Sequence, residues 1–578
     1  MSVRKAGLAA PPRPRQDQRD GGRNVLARAH DAPRVPLRIF RPRKERKEPL
    51  CTGPSIYEHV RVHIRQDGPG LLPGGDELPD EDSGGMTTPG GIRFSSGAWE
   101  GLQARVMASE GRNASAVAED VHAELVKLAA RPTKEGEARL MALLHGSELR
   151  RVADLVLERL SEKPPRNPGQ VYRVMRDLFL NSGHRDVVKL SMAAMATFRN
   201  SADIPLFHAI GRHDEFTLYA AVALAKVCDD PFPEWLALAR QVEGWGRVEL
   251  VERLLQDPRP DLCDFLLREG YRNKVEGGYT ALAIAQGCGL REVLEGPEPD
   301  ETILRGATVI LATLAGDAHG GPDGGMLDYA DGPRIIERFL LLVASKVRTL
   351  EDFLCLGEIR AFAADDGGDD ESEQRLLAAG WTRELRTRVV ELCDEVLSRS
   401  EWRERAREAF DSSDRGERWR APTVAHLMGL RDELITRVKA EPLNEWLWFY
   451  LSKGVSEEQM RKTLDLARAL LDVPSIATGR GEVLTRGPGF ATHECVEMIV
   501  QELRSFPGLG WDLIRLSLQS PLIRNRTMAI QALTAWGPEH LSPEMVECVR
   551  EGLSDPDKSV REDSEEFMAR IGAQGRSK

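Results

Sequence analysis

Ser520-Pro-Leu-Ile-Arg-Asn-Arg526-Thr-Met-Ala-Ile-Gln-Ala-Leu-Thr-Ala-Trp-Gly537 and Asp555-Pro-Asp-Lys-Ser-Val-Arg561-Glu-Asp-Ser-Glu-Glu-Phe-Met-Ala-Arg-Ile-Gly572 are one pattern written twice, 35 positions apart. Pro falls on Pro, Arg on Arg and Gly on Gly. A turn residue, a Pro suited to a helix start, an Arg and an Ala/Leu-rich run closed by Gly together spell one supersecondary unit. A unit of this kind cannot bury its apolar face alone and must stack on neighbours. A third, looser copy runs from Pro299 through Arg305 to Gly316 and keeps the eleven-residue step from Arg to Gly. Leu190–Ala196 and Leu218–Leu224 form a further Ala-rich pair at a spacing of 28, so the period is irregular.

Outside these copies the chain from about 98 to 574 continues helix after helix. Val496, Ile499, Val500 and Leu503 recur at i, i+3, i+4, i+7, and Val248, Val251, Leu254 and Leu255 behave similarly. Ser55-Ile-Tyr-Glu58, Thr349-Leu-Glu-Asp352 and Ser456-Glu-Glu-Gln459 have the form of capping boxes, and Ser542-Pro543-Glu544 places Pro at a first helical position. Gly270, Gly316, Gly537 and Gly572 follow expected helix ends. Alternating β-branched runs are lacking, so the expected fold class is all-α.

These residues resemble HEAT repeats. The resemblance implies an α-solenoid in which Asp and Arg six positions apart, here Asp555 and Arg561, form a ladder along the stack, with Arg526 and Arg305 at the matching places. Two longer strings, Gly244–Leu255 with Leu266–Asn273, and Phe506–Trp511 with Ser520–Arg526, resemble a family of uncharacterised bacterial HEAT-like proteins. Some of its members are labelled limonene hydroxylase. That resemblance runs from about Ser55 to the end and implies either a binding scaffold or a monooxygenase.

The 578 residues carry 79 Lys+Arg and 91 Asp+Glu, a net of −12, and are 41% hydrophobic but only 6% aromatic. That apolar fraction supports a large core and excludes wholesale disorder. The charge is the sum of two opposed parts. Residues 1–50 hold 14 basic and 5 acidic residues, leaving 65 basic and 86 acidic residues, a net of −21, for the remainder. Pro12-Arg13-Pro14-Arg15 and Arg41-Pro42-Arg43-Lys44-Glu45-Arg46-Lys47 lie in a stretch with almost no periodic apolar residues. A disordered basic tail is therefore expected, serving as an arm for anionic surfaces, idle, or a start-site artefact. No apolar segment follows it to make a secretory signal. The stretches Ala307–Ala315 and Ile335–Val347 are too short or too interrupted to span a bilayer. Eight Cys without a CxxC suggest reduced thiols in a cytoplasmic protein.

The expected organisation is a tail (1–54), an N-terminal helix with a Gly/Pro-rich loop (55–97) and a HEAT-like α-solenoid (98–578).

Chemistry is harder to find. Hydroxylation needs an oxygen-activating cofactor, yet none is expected. Cys288 in Gln286-Gly-Cys-Gly289 lacks the aromatic and Gly spacing of a haem-thiolate loop. Gly479-Arg480-Gly481 lacks the third Gly and the preceding strand of a dinucleotide site. His59 and His63 stand at i, i+4 without the Glu of an HExxH motif, so two surface histidines compete with a metal pair. His493-Glu494-Cys495 splays around a helix. Asp365–Glu371 has calcium-loop composition without EF-hand spacing. The Gly/Asp-rich insertion Gly316–Gly332 suits a surface loop or a lid.

One cluster stands apart. Trp446, Trp448, Phe449 and Tyr450 crowd one helix and cannot all face a single core stripe. Trp446, Trp448 and Tyr450 are therefore candidate partner-binding residues, weighed against packing between helices. The expected function is a cytoplasmic adaptor that binds another protein. The alternatives are a limonene hydroxylase-like monooxygenase and a nucleic-acid-binding HEAT-like protein. The −21 body disfavours nucleic acid except through residues 1–50.

Overall fold

The computed structural model describes residues 54–80, 114–144, 149–162, 167–275, 277–297, 299–317, 324–365, 369–483 and 489–574. Residues 1–53 of the basic tail and 81–97 of the Gly/Pro-rich segment lie outside them. Among the described residues every regular element is helical, and β pairing is limited to isolated bridges of Ile64 with Leu71 and Val483 with Leu522. The chain is all-α. The described residues divide into two compact units, one comprising those up to Lys346 with those of Glu358–Cys393, the other Val347–Gly357 with those from Asp394 onward.

Local chemistry sets the helix starts. Ser456 N–H donates to Gln459 Oε1 (2.9 Å) while Gln459 N–H donates to Ser456 Oγ (3.3 Å), a reciprocal capping box. Thr349 and Asp352 do the same at the start of Leu350–Ala364 (2.9 and 3.1 Å). Ser542 accepts from Met545 N–H (3.2 Å) with Pro543 behind it, where a missing N–H costs nothing. Ser55 accepts from Glu58 N–H (3.1 Å), but the Glu58 carboxylate turns outward to Arg61 (2.6 Å), so this cap is one-sided.

In the C-terminal unit five helices form a continuous row: Arg415–Leu427, Glu445–Ser452, Ala491–Val500, Ile523–Ala535 and Lys558–Gln574. Each packs on the next. Arg431–Ala440, Glu457–Leu470, Trp511–Ser517 and Pro543–Arg550 each pack against a member of that row. Val496, Ile499, Val500 and Leu503 are all fully buried, as their spacing requires.

The N-terminal unit has its own row, Leu149–Glu162, Arg185–Ala196, Asp214–Val227 and Trp245–Leu254. The Ala-rich stretches near 190 and 220 lie at its centre, where small side chains let helix axes approach. Residues 54–80 belong to this unit's packing. Ile56 and Val60 are fully buried against Pro168–Asn181 and Ile204–Gly211, and Ser55 Oγ donates to the Leu180 carbonyl (2.6 Å). Asp80, also buried, takes the Arg185 guanidinium at 2.9 Å, while Lys189 meets Glu215 at 2.8 Å beside buried His213. Burial depresses the His213 pKa, so this core His is neutral.

Candidate functional site

The helix Glu445–Ser452 has two faces. Leu447, Trp448 and Leu451 point to the core, and Trp448 is completely buried, its Nε1–H donating to the Pro442 carbonyl (2.8 Å). The expectation that Trp448 meets a partner is therefore corrected: it shares the buried stripe with Leu447 and Leu451. Trp446, Phe449 and Tyr450, at i, i+3, i+4, take the other face.

That face continues onto Arg415–Leu427. Asp414 caps this helix, accepting from Gly416 N–H (2.6 Å) and Glu417 N–H (3.3 Å). Ala421, Val424 and Ala425 are buried, and Trp419, two residues before Ala421, is rotated by about 200° out of that stripe. Trp419 is 64% exposed and Trp446 36%. Their rings meet edge-on at 6.5 Å, Trp446 meets Phe449 at 6.0 Å, and Phe449 meets Tyr450 at 4.9 Å. Lys453 Nζ stands 4.9 Å from the Phe449 ring centroid, within cation–π range.

Tyr450 anchors the row from below. Its hydroxyl accepts from Thr423 Oγ1 (2.7 Å), and its carbonyl accepts from His426 Nδ1 (3.0 Å). Burial raises the Tyr450 pKa and lowers that of His426, so both stay neutral and hold the two helices together. Leu427 and Leu443, 60% and 53% exposed, lie between Trp419 and Trp446 in sequence. Four of the ten exposed large apolar side chains described in the chain fall between Trp419 and Trp446, so exposure is concentrated in this segment.

The ladder residues separate into two kinds. Arg526 is buried and its guanidinium grips Asp555 of the following copy through two bonds, 2.9 and 2.8 Å. It also donates to the carbonyls of Ser520 (2.6 Å) and Gly481 (2.7 Å). Arg561 repeats the first of these backbone bonds, donating to the Asp555 carbonyl six residues back (2.6 Å), but its side chain is only half-buried. Ser520 Oγ accepts Leu522 N–H (3.2 Å) just as Asp555 Oδ1 accepts Asp557 N–H (3.0 Å). The two copies thus share a hydrogen-bond pattern as well as a sequence pattern.

Arg305 is not part of it. It is exposed and pairs with Glu301 of its own helix at 3.3 Å. It stands five residues after its N-cap Asp300, whereas Arg526 and Arg561 stand four after Leu522 and Asp557; one extra residue rotates it by about 100° to solvent.

The remaining candidates are structural. Arg480 of the Gly479-Arg480-Gly481 loop pairs with Glu551 (3.0 Å) and approaches Asp555 (3.8 Å), so the loop buttresses the Arg526–Asp555 pair. His493 is buried on Ser520 Oγ (2.9 Å) and Cys495 on the Pro442 carbonyl (3.7 Å). His63 Nδ1 donates to the His59 carbonyl (2.7 Å), and no group of three metal-ligating side chains occurs among the described residues. Burial and the adjacent Cys263 thiol push the Cys288 thiol up. Asp369 caps Asp370–Ala378 by accepting Ser372 N–H (2.8 Å), while residues 366–368 and 318–323 of the two Gly/Asp-rich loops lie outside the described residues. No helix described is long and apolar enough to cross a membrane.

Sequence reasoning missed Trp419. Its signal was a lone aromatic inside Arg415-Gly-Glu-Arg-Trp-Arg420, off the apolar positions of a helix. No protein-family model, curated protein or solved structure matches the chain.

Proposed function

We propose that this chain is a protein-binding adaptor. In this reading it is a HEAT-like α-solenoid, located in the cytoplasm, that presents the Trp419–Trp446 face of its C-terminal unit to another protein. One observation carries the proposal: two tryptophans on neighbouring helices hold each other edge-on at the surface, over a Tyr450–Thr423–His426 support. Burying large apolar rings is the ordinary solution for a chain that is only 6% aromatic. Leaving them exposed and pre-positioned supports a docking role, because rigid Trp anchors bind with little ordering entropy. The Arg526–Asp555 pair serves on this reading to hold the helical stack that carries the face.

Affinity capture with the full chain tests this. A partner retained by the wild type should be lost from a Trp419→Ala/Trp446→Ala variant whose circular dichroism is unchanged. Equal retention by both proteins would remove the face from the account.

A further inference from the structure

The aromatic row has a cation at each end. Arg415 lies one helical turn before Trp419, about 6 Å away along the same face. Trp419, Trp446 and Phe449 follow at ring separations of 6.5 and 6.0 Å, and Lys453 closes the row 4.9 Å beyond Phe449. If straight, the row spans about 23 Å, the reach of about seven extended residues. Arg415 is exposed and, among the described residues, meets no carboxylate within 4.0 Å. Its helix neighbour Arg420, by contrast, is held by Glu351 at 2.5 Å. Acidic groups nearby in sequence face elsewhere. Glu417 accepts the Leu350 N–H (3.2 Å), and Glu445 stands near buried Cys495, whose thiol it helps to push up.

We propose that this face takes a short acidic segment of a partner protein: carboxylates at its two ends meet Arg415 and Lys453, and apolar side chains between them cover Trp419, Trp446 and Phe449. The inference rests on the docking role proposed above and adds the chemistry of the occupant. The apolar centre supplies most of the affinity, and the rim charges choose among partners by attracting carboxylates and repelling ammonium groups. A basic segment would set like charges together at both ends, and a neutral one would leave Arg415 without a counter-charge, Lys453 having only the half-buried Glu502 carboxylate near it.

The test uses the full chain and a fluorescein-labelled peptide, Glu-Glu-Leu-Ser-Phe-Ser-Leu-Glu-Glu, with versions carrying Gln or Lys in place of every Glu. Fluorescence anisotropy should give the order Glu, Gln, Lys, each step weaker by about threefold or more. Arg415→Glu/Lys453→Glu should reverse that order, and Trp419→Ala/Trp446→Ala should weaken all three peptides about tenfold or more. Equal affinity for the three peptides, an unreversed order in the charge-swapped variant, or no binding of the Glu peptide overturns the inference. If the peptides bind equally yet all lose affinity in the alanine variant, the acidic preference falls and the docking face stands. If the alanine variant binds like wild type, both fall.

Discussion

Arg526 and Asp555 are joined across successive helical copies by a buried, two-pronged ion pair, with Nη2 2.8 Å from Oδ1 and Nε 2.9 Å from Oδ2. Two of the three remaining guanidinium hydrogens go to the Ser520 and Gly481 carbonyls, so one side chain ties three segments. Arg526→Met takes the bonded cation from a buried carboxylate, leaving it the Asp557 N–H and the more distant Arg480, and leaves two carbonyls without donors; it should cost about 3–5 kcal/mol. Arg526→Met combined with Asp555→Leu should cost less than Arg526→Met alone, since the orphaned charge is gone. Urea unfolding of the three proteins gives the order directly.

Trp448 and Trp446 sit two residues apart and should behave oppositely. Trp448→Ala empties a fully buried site and removes the bond to Pro442, a loss of about 3–5 kcal/mol. Trp446→Ala and Trp419→Ala, at the surface, should each change stability by less than about 1 kcal/mol. Thermal denaturation separates the two classes.

Asp214 gives the N-terminal unit a pH dependence. Burial raises its carboxyl from 3.8 to about 6, although the Gly246 N–H (3.0 Å) partly offsets this. The folded state therefore holds the proton more tightly than the unfolded state. Stability from this group is greatest below about pH 4 and is lost as pH rises through about 6, by about 3 kcal/mol in all. Asp214→Asn keeps an acceptor for Gly246 and should be more stable than wild type at pH 7.5 but not at pH 3.5. The check is the difference in unfolding free energy at the two values.

Two helical glycines should respond with opposite sign to alanine. A Cβ at Gly306 would fall 1.8 Å from the Leu267 carbonyl oxygen, so Gly306→Ala forces the backbones apart and should cost about 1–3 kcal/mol. A Cβ at Gly357 meets nothing within 4 Å, and Gly357→Ala should gain about 0.5–1 kcal/mol from helix propensity. Both are measured by chemical denaturation.

What the sequence made legible was local. The caps at Thr349, Ser456 and Ser542, the buried 496–503 stripe and the 35-residue pairing all depend on residues close in the chain or on direct repetition. Contacts between distant segments were not legible. Asp80 and Arg185 are 105 residues apart, and nothing local to either marks the other. Residues 55–97 read as a segment apart from the helical body because their loop composition differs, yet Ile56 and Val60 complete its packing. Arg305 keeps the Arg–Gly step but not the distance from the helix start, where one residue changes the face. The aromatic cluster was half legible: four aromatics in five residues implied that some reach the surface, but which ones depended on the stripe shared by Leu447 and Leu451.

The most direct measurement places a photoreactive benzophenone side chain at Leu427, at the end of the helix that carries Trp419, or at Leu341, which is similarly exposed in the other unit (60% and 61%). Irradiation in native cell extract, followed by mass spectrometry of the adducts, compares the two sites in the full chain. The account predicts a discrete protein adduct at 427 that disappears in the Trp419→Ala/Trp446→Ala background, with no counterpart at 341. Equal adducts at both positions, or an adduct at 427 that survives loss of the two tryptophans, would contradict it.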